Sequence, residues 1–120
     1  MSTTETNRRH LVELLEGLST GRLMEVFEKF YADDVVMMEN GEPDPARVGK
    51  AGNRTYEQYF ADKAEWHGAK MGPVIVDGDH SAYEMWMDFT IDGQRVVRSQ
   101  VAMQWWKDGQ IVKEIFYYKA

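Results

Sequence analysis

The sequence has no cysteine, only three prolines, and no apolar run that approaches the length needed to span a membrane. The lack of cysteine excludes disulfides and thiol chemistry, although it does not identify a compartment. The N-terminal residues lack the apolar segment of a secretory signal, so we expect a cytoplasmic protein without a membrane partner. The net charge is −6 and the basic residues are scattered, which argues against a nucleic-acid partner.

Large side chains, by contrast, are abundant: the 120 residues include four Trp, six Tyr, five Phe and eight Met. The length predicts one domain over residues 1–120, of which we expect residues 1–5 to be flexible. Large side chains fill cores, and they also line cavities that bind flat organic molecules. Composition alone leaves both uses open.

Hydrophobic spacing predicts three helices and a short strand in the first part of the chain. Thr6 or Asn7 is placed to cap the first helix. A second helix carries apolar residues at three- and four-residue spacing up to Phe30. The pattern then predicts a strand over residues 35–39 and a third helix over residues 53–66.

The second part of the chain has the pattern of an antiparallel meander. Asp-Gly pairs between alternating segments are a strong hairpin signal. The predicted strands lie near residues 70–77, 81–91, 95–106 and 110–119, with turns at Asp77-Gly78-Asp79, Asp92-Gly93 and Asp108-Gly109. Helices segregated from strands predict an α+β fold with the helices on one face of the sheet.

Alternation along the strands predicts which side chains face the helices. The predicted inward set is Tyr83, Met85, Met87, Phe89 and Ile91, then Val97, Ser99, Val101, Met103 and Trp105, and finally Val112, Glu114, Phe116 and Tyr118. Matching the first two groups requires a bulge at Gly93, because a two-residue turn would pair Asp88 with Val97. The bulged register places Asp88 opposite Arg98 as an ion pair on the outer face.

The predicted outer face mixes aromatic and polar side chains, which is more typical of a protein interface than of a solvated surface. We therefore expect a homodimer that forms through this face. The expected interface residues are Trp86, Gln100, Trp106, Ile115 and Tyr117.

Two segments resemble the nuclear transport factor 2-like superfamily: Tyr31-Ala32-Asp33-Asp34 at the helix-to-strand corner, and Trp105 to Ile111 near the end. The resemblance covers essentially the whole chain and is closest to the ketosteroid isomerase and SnoaL-like polyketide cyclase branches. It implies a cone-shaped roll, in which three N-terminal helices pack on a curved, mainly antiparallel sheet and enclose a pocket. It also implies dimers through the sheet.

The resemblance to ketosteroid isomerases implies a catalytic carboxylate shortly after the corner motif, and Glu39 occupies that place. The places of the two oxyanion-hole donors of those enzymes are taken by Leu14 and Val101, which cannot donate a hydrogen bond. Losing one such donor typically costs about 10²–10³ in rate, so steroid isomerisation is not expected. SnoaL-like cyclases often have His or Asp on the last strand, where this chain has Glu114 and Phe116.

Glu39 and Glu114 are the candidate catalytic residues. Glu39 ends a strand beside a Pro-bearing loop, so it is either a solvated capping residue or a general base at the mouth of a cavity. Glu114 is predicted to face inward, where a carboxylate needs a partner such as Tyr118, Tyr83 or Tyr56, or a proton. A one-residue shift of register would instead expose Glu114.

The hypothesis is a SnoaL-like protein that binds a small apolar or aromatic molecule, with Glu39 as general base on a carbonyl compound. The alternative is a non-catalytic ligand-binding or dimeric accessory domain. The expected ligand-binding residues are Tyr56, Tyr59, Tyr83, Met85, Met87, Val101, Met103, Trp105, Phe116 and Tyr118. The three histidines lack metal-ligand spacing, and no cofactor-binding motif is present, so neither a metal nor a cofactor is expected.

Overall fold

The computed structural model describes residues 2–119, except for the side chain of Ala46. The elements are α1 (Thr3–Ser19), α2 (Leu23–Phe30), β1 (Tyr31–Glu39), a 3-10 turn (Pro45–Arg47), α3 (Lys50–Lys63), β2 (Glu65–Asp77), β3 (His80–Ile91), β4 (Gln94–Lys107) and β5 (Gln110–Tyr118). The sheet order is β1-β5-β4-β3-β2, with β1 parallel to β5 and the other pairs antiparallel. The predicted α+β cone is confirmed. Within residues 2–119, no helix has the length and apolarity needed to cross a membrane.

The apolar stripes of α1 and α2 pack against each other and against the sheet. Leu11 and Leu14 of α1 and Phe27 of α2 are almost completely buried. The two helices approach closely at Gly17, where an added Cβ would lie only 2.2 Å from Val26 Cγ1. Residues next to this crossing, Leu18 and Leu23 among them, line the space between the helices and the sheet.

Three predicted boundaries were wrong because backbone pairing and capping extend the elements. Ser2, rather than Thr6 or Asn7, caps α1, and its Oγ accepts a hydrogen bond from the backbone of Glu5. Strand β1 begins at Tyr31, where its backbone pairs with β5, so the predicted corner is already strand. Helix α3 runs from Lys50 to Lys63, and residues 65–66 pair with β3 instead of ending the helix.

The predicted register of β3 and β4 was wrong by one residue. Asp92 and Gly93 both have positive φ, 52° and 78°, and form a two-residue turn that pairs Ile91 with Gln94. An Asp-Gly turn of this kind matches the twist of a hairpin, so no bulge is needed. Asp88 therefore pairs with Val97 and not with Arg98.

This register reverses the predicted faces of β4, because side chains alternate along a strand. The buried positions of β4 are Gln100, Ala102, Gln104 and Trp106, whereas Val97 and Val101 are exposed. Val101, Met103 and Trp105 thus lie on the outer face and not in the core. Asp88, on that same outer face, accepts hydrogen bonds from Arg95 at 3.0 and 2.7 Å, instead of the predicted Arg98 contact.

The predicted outer face must be corrected in the same way. Gln100 and Trp106 point inward, while Trp86, Ile115 and Tyr117 remain on the outer side of the sheet. The Asp108-Gly109 turn pairs Lys107 with Gln110, as predicted. A register shift between Trp105 and Trp106 then makes Ile111, rather than Val112, the fully buried residue at the start of β5.

Candidate functional site

A cavity of about 620 Å³ lies between the helices and the inner face of the sheet. Its size is typical of sites that bind small organic molecules. Most of its wall is apolar, with Leu18, Leu23, Phe27, Met37, Phe60, Trp66, Met71, Met85, Met87 and Phe116 among the lining residues. The polar residues of the wall are Ser19, Tyr31, Glu39, Arg47, Tyr56, Glu57, His67, Tyr83, Arg98 and Gln100.

Arg47 joins two carboxyl groups at the cavity wall. Its side chain is 3% exposed; Nη1 lies 3.2 Å from Glu39 Oε1 and Nη2 lies 3.7 Å from Glu57 Oε1. Glu39 comes from the end of β1 and Glu57 from α3, so the three side chains meet where the strand, the loop and the helix converge. One buried cation therefore serves two acids.

The fold around Arg47 fixes the direction of its guanidinium. Nε donates to Asn53 Oδ1 at 2.8 Å, and Asn53 Nδ2 donates back to the carbonyls of Arg47 and Gly49 at 2.7 and 2.9 Å. The ring of Tyr56 lies 3.8 Å from Arg47 Cζ. Asn53 is completely buried at the first turn of α3, so it ties the 3-10 turn to the helix. The pair of acids is thus presented by a rigid support.

The two acids differ in their surroundings. Burial raises the pKa of Glu57 from 4.5 to about 7; the charge of Arg47 opposes this rise, while Glu114 and Glu39 add to it. Glu39 is 31% exposed, accepts a hydrogen bond from Arg47 on Oε1, and has no partner for Oε2 among the described residues. A carboxylate with a free oxygen next to a carboxyl that holds a proton near neutrality can act as an acid–base pair.

Glu57 was not predicted from the sequence. A weak signal was present, since Asn53, Glu57 and Phe60 follow one another at four- and three-residue spacing on one face of α3. A carboxylate on the stripe that carries Phe60 faces the core side of a helix. This spacing is a weaker signal than the Pro-bearing loop that follows Glu39.

Glu114 lies on the inner face of β5 and is completely buried. Tyr31 donates a hydrogen bond from its hydroxyl to Oε1 at 2.5 Å, and Gln104 Nε2 donates to Oε2 at 2.7 Å. The partner is therefore Tyr31 and not one of the predicted Tyr118, Tyr83 or Tyr56. Glu114 is not part of the cavity wall, but its hydrogen-bond partner Tyr31 is.

A buried chain of hydrogen bonds behind Glu114 has a fixed direction. Trp106 Nε1 can only donate, and it donates to Ser81 Oγ at 2.8 Å. Ser81 then donates to Gln104 Oε1 at 2.6 Å, which leaves the amide nitrogen of Gln104 to donate to Glu114. Because Gln104 always donates to Oε2, a proton that Glu114 gains is expected on Oε1, the oxygen that faces Tyr31.

Burial raises the pKa of Glu114 from 4.5 to about 7, although hydrogen bonds from Tyr31 and Gln104 and the charge of Arg47 counteract the shift. Burial also raises the pKa of Tyr31 well above 10, and the neighbouring Glu114 adds to that rise. Tyr31 therefore keeps its proton, and the carboxyl of Glu114 is the group that titrates.

Arg98 and Gln100 project from β4 into the same cavity. Arg98 Cζ lies 3.9 Å from the ring of Tyr118. Arg98 Nε and Gln100 Oε1 are buried and have no hydrogen-bond partner among residues 2–119.

The structure places about half of the predicted ligand-binding residues at the cavity, namely Tyr56, Tyr83, Met85, Met87 and Phe116. Val101, Met103 and Trp105 lie on the opposite face of the sheet, for the register reason given above. Tyr59 is exposed, and its hydroxyl bonds to Asp92 instead. Tyr118 stacks on Arg98 without forming part of the wall. In the described part of the chain, no group of three or more His, Cys, Asp or Glu side chains could hold a metal ion.

Comparison with solved structures identifies the fold. A candidate SnoaL-like polyketide cyclase from Mesorhizobium loti is 30% identical, with 98% of this chain and 100% of that chain covered and a TM-score of 0.80. An LEH-like epoxide hydrolase from M. tuberculosis is 18% identical, with 97% and 84% covered and a TM-score of 0.78. A candidate ketosteroid isomerase from Kribbella flavida is 20% identical, with 100% and 82% covered and a TM-score of 0.75. At these identities the last two demonstrate a shared fold only.

The family assignment comes from the sequence itself. No curated protein matches this chain. The family model of the SnoaL-like domain matches residues 1–118, which is nearly the full length. The chain therefore belongs to the SnoaL-like family of the nuclear transport factor 2-like superfamily.

Proposed function

We propose that this protein binds a small, flat and mainly apolar carbonyl compound in the cavity and moves a proton on it, as an isomerase- or cyclase-type enzyme. The observation that carries the proposal is the pair of carboxyl groups, Glu39 and Glu57, held on Arg47 at the cavity wall. The name of one structural neighbour, the candidate SnoaL-like polyketide cyclase that is 30% identical, points to the same kind of chemistry.

In this proposal Glu39 accepts a proton from the carbon next to the carbonyl group of the ligand. The C–H electron pair moves toward the carbonyl carbon, and negative charge develops on the carbonyl oxygen. Glu57 in its protonated form donates a hydrogen bond or the proton itself to that oxygen. Arg47 holds both acids in place and stabilises the negative charge that they share.

The proposal is tested by solvent deuterium exchange into 2-tetralone, a flat apolar ketone with acidic α-protons, followed by NMR in D₂O. We expect exchange in the native protein that decreases as pH rises through about 7, because Glu57 then loses its proton. Glu39→Gln should reduce exchange to the background rate. Glu57→Gln should slow exchange and remove its dependence on pH in this range.

Glu65→Gln is a matched control, because Glu65 is an exposed acid on β2 and lies outside the cavity wall. Unchanged exchange in Glu39→Gln would remove Glu39 from the mechanism. Equal losses in the Glu39 and Glu65 variants would point to a general effect of charge rather than to proton transfer.

A second candidate function is ligand binding without chemistry. It is favoured by the apolar residues that take the oxyanion-donor places implied by the resemblance: Leu14 is buried in the core, and Val101 points away from the cavity. Saturable binding of 2-tetralone without any exchange above background would support this function over the enzymatic one.

We also propose that the protein forms a homodimer through the outer sheet face, with the interface corrected for the observed register. Val97, Val101 and Tyr117 on this face are 55%, 42% and 43% exposed, and Trp86 and Met103 lie among them. Val101→Arg should convert a dimer into a monomer in analytical ultracentrifugation, because a charge would be buried at the interface. Val12→Arg on α1, where Val12 is 46% exposed, is the control and should leave the mass unchanged. A monomeric native protein would refute the proposal.

A further inference from the structure

Arg98 is a mostly buried cation at the cavity for which the described residues supply no acidic partner. Arg47, in the same cavity, has two carboxyl groups within 4.0 Å, and the exposed Arg95 on the same strand as Arg98 is paired with Asp88. The guanidinium of Arg98, by contrast, stacks on the ring of Tyr118, with Cζ 3.9 Å from the ring centre. A guanidinium removed from water without a counter-charge is costly, unless something else supplies that charge.

Its surroundings leave one part of the guanidinium available. Tyr118 covers a face of the group at 3.9 Å, and the more distant Phe89 ring lies at 5.9 Å. Tyr118 is itself held in place, because its backbone N–H donates to Asn40 Oδ1 at 2.8 Å. Stacking occupies faces and leaves the N–H edge free, and that edge is the part of arginine that binds a planar pair of oxygens.

Gln100 adds a second unmet polar group at the same place. It lies two residues along β4 from Arg98, so both side chains project from the same face of the strand. Gln100 is 7% exposed, and its Oε1 has no hydrogen-bond partner within residues 2–119. Buried polar groups are normally satisfied, so the unpaired donor Arg98 Nε on the cavity wall calls for an acceptor from a ligand, whereas Gln100 Oε1, itself an acceptor, calls for a donor.

We propose that Arg98 and Gln100 bind a carboxylate group of the ligand, with the guanidinium edge of Arg98 and the amide Nε2 of Gln100 both donating to its oxygens. This inference rests on the proposed function where it specifies the substrate: an apolar carbonyl compound that also carries a carboxylate, that is, an oxo acid. A single unpaired cation balances a single negative charge. The acids Glu39 and Glu57 in the same cavity disfavour a more highly charged group such as a phosphate.

The position of the pair also separates recognition from chemistry. Glu39 lies on β1 and Arg98 on β4, with β5 between them. Two strand spacings correspond to roughly 10 Å across the sheet, and Arg98 also lies four residues along β4 from Ala102, the residue level with Glu39. The carboxylate and the reacting carbonyl are thus bound at separate places on the cavity wall.

The test compares three probes of one shape by titration calorimetry: 2-naphthoate, its neutral analogue naphthalene-2-carboxamide, and 2-naphthyl phosphate. We expect naphthoate to bind more tightly than either of the others. Arg98→Met should weaken naphthoate about 10- to 100-fold, as loss of a charge-assisted hydrogen-bond pair implies, and leave the carboxamide within about 3-fold. The naphthoate affinity of Arg98→Lys should lie between those of the native protein and Arg98→Met, because lysine keeps the positive charge but lacks the planar pair of N–H donors.

Arg95→Gln is the matched control, since it removes one positive charge from the same strand on the outer face. Equal weakening of naphthoate in the Arg95 and Arg98 variants would overturn the proposal, as would equal affinity of naphthoate and the carboxamide for the native protein, or no naphthoate binding at millimolar concentration. Preference for the phosphate would overturn the carboxylate assignment. Unchanged carboxamide binding in Arg98→Met shows that the variant is folded. Deuterium exchange into 2-tetralone, which has no carboxylate, tests the proton chemistry separately, so either proposal can fail alone.

Discussion

The buried carboxyl of Glu114 makes the stability of this protein depend on pH in a direction opposite to that of most acids. The pKa of Glu114 rises from 4.5 to about 7 on folding. Between about pH 4.5 and pH 7, Glu114 therefore holds a proton in the folded state that it has lost in the unfolded state. The resulting stabilisation is fully present below about pH 4.5 and is lost as pH rises through about 7. One pKa unit corresponds to about 1.4 kcal/mol, so the shift amounts to about 3 kcal/mol.

Glu114→Gln removes this ionisation while preserving shape. The new amide oxygen can accept from Gln104, whose direction is set by the chain from Trp106, and the new amide nitrogen can donate to Tyr31. We expect the variant and the native protein to have similar free energies of unfolding at pH 4.5. At pH 8 the variant should be more stable by up to about 3 kcal/mol.

The assay is urea unfolding at pH 4.5, 6 and 8, in which a gain of this size moves the midpoint by about 2 M. Glu16→Gln, a change at an exposed acid on α1, is the control and should show a constant offset from the native protein. A difference between Glu114→Gln and the native protein that does not change with pH would refute the reasoning. So would a Glu114→Gln variant that is less stable than the native protein at pH 8.

Two further predictions concern the support of the cavity. Arg47→Met should lower the free energy of unfolding at pH 8 by about 3 kcal/mol, because Glu39 and Glu57 lose their shared counter-charge. Adding Glu57→Gln to this variant should restore part of the lost stability. Losses that simply add in urea unfolding would contradict this coupling. Gly17→Ala should destabilise the protein by about 1–3 kcal/mol, since its Cβ would lie 2.2 Å from Val26 Cγ1. Helix propensity alone predicts the opposite, so a higher melting temperature of the variant would show that the two helices can move apart at this crossing.

The order of elements and the inward direction of Glu114 could be predicted from the sequence because both depend on local signals. The two-residue Asp108-Gly109 turn predicts which alternate residues of β5 face inward, and the structure has the same turn. The Asp92-Gly93 turn carried equally good information about β4. There the hydrophobic pattern contradicts the turn: it favours Val101 and Trp105 as inward residues, whereas the structure has both on the outer face. Helical spacing indicates only that Glu57 faces the core side of α3; its pairing with Arg47 depends on the folded 3-10 turn and could not be predicted from the sequence.

The failure on β4 has a physical cause that connects it to function. When the inner face of a strand is apolar, the hydrophobic pattern predicts its register, since burial of polar groups is costly. The inner face of β4 instead carries Arg98, Gln100 and Gln104, and its outer face carries Val97 and Val101. Local rules fail where a fold retains buried polar groups for binding or chemistry. The inverted pattern of β4 is therefore itself evidence that its inner face serves the cavity, because Gln104 supports Glu114 while Arg98 Nε and Gln100 Oε1 have no hydrogen-bond partner in the described chain.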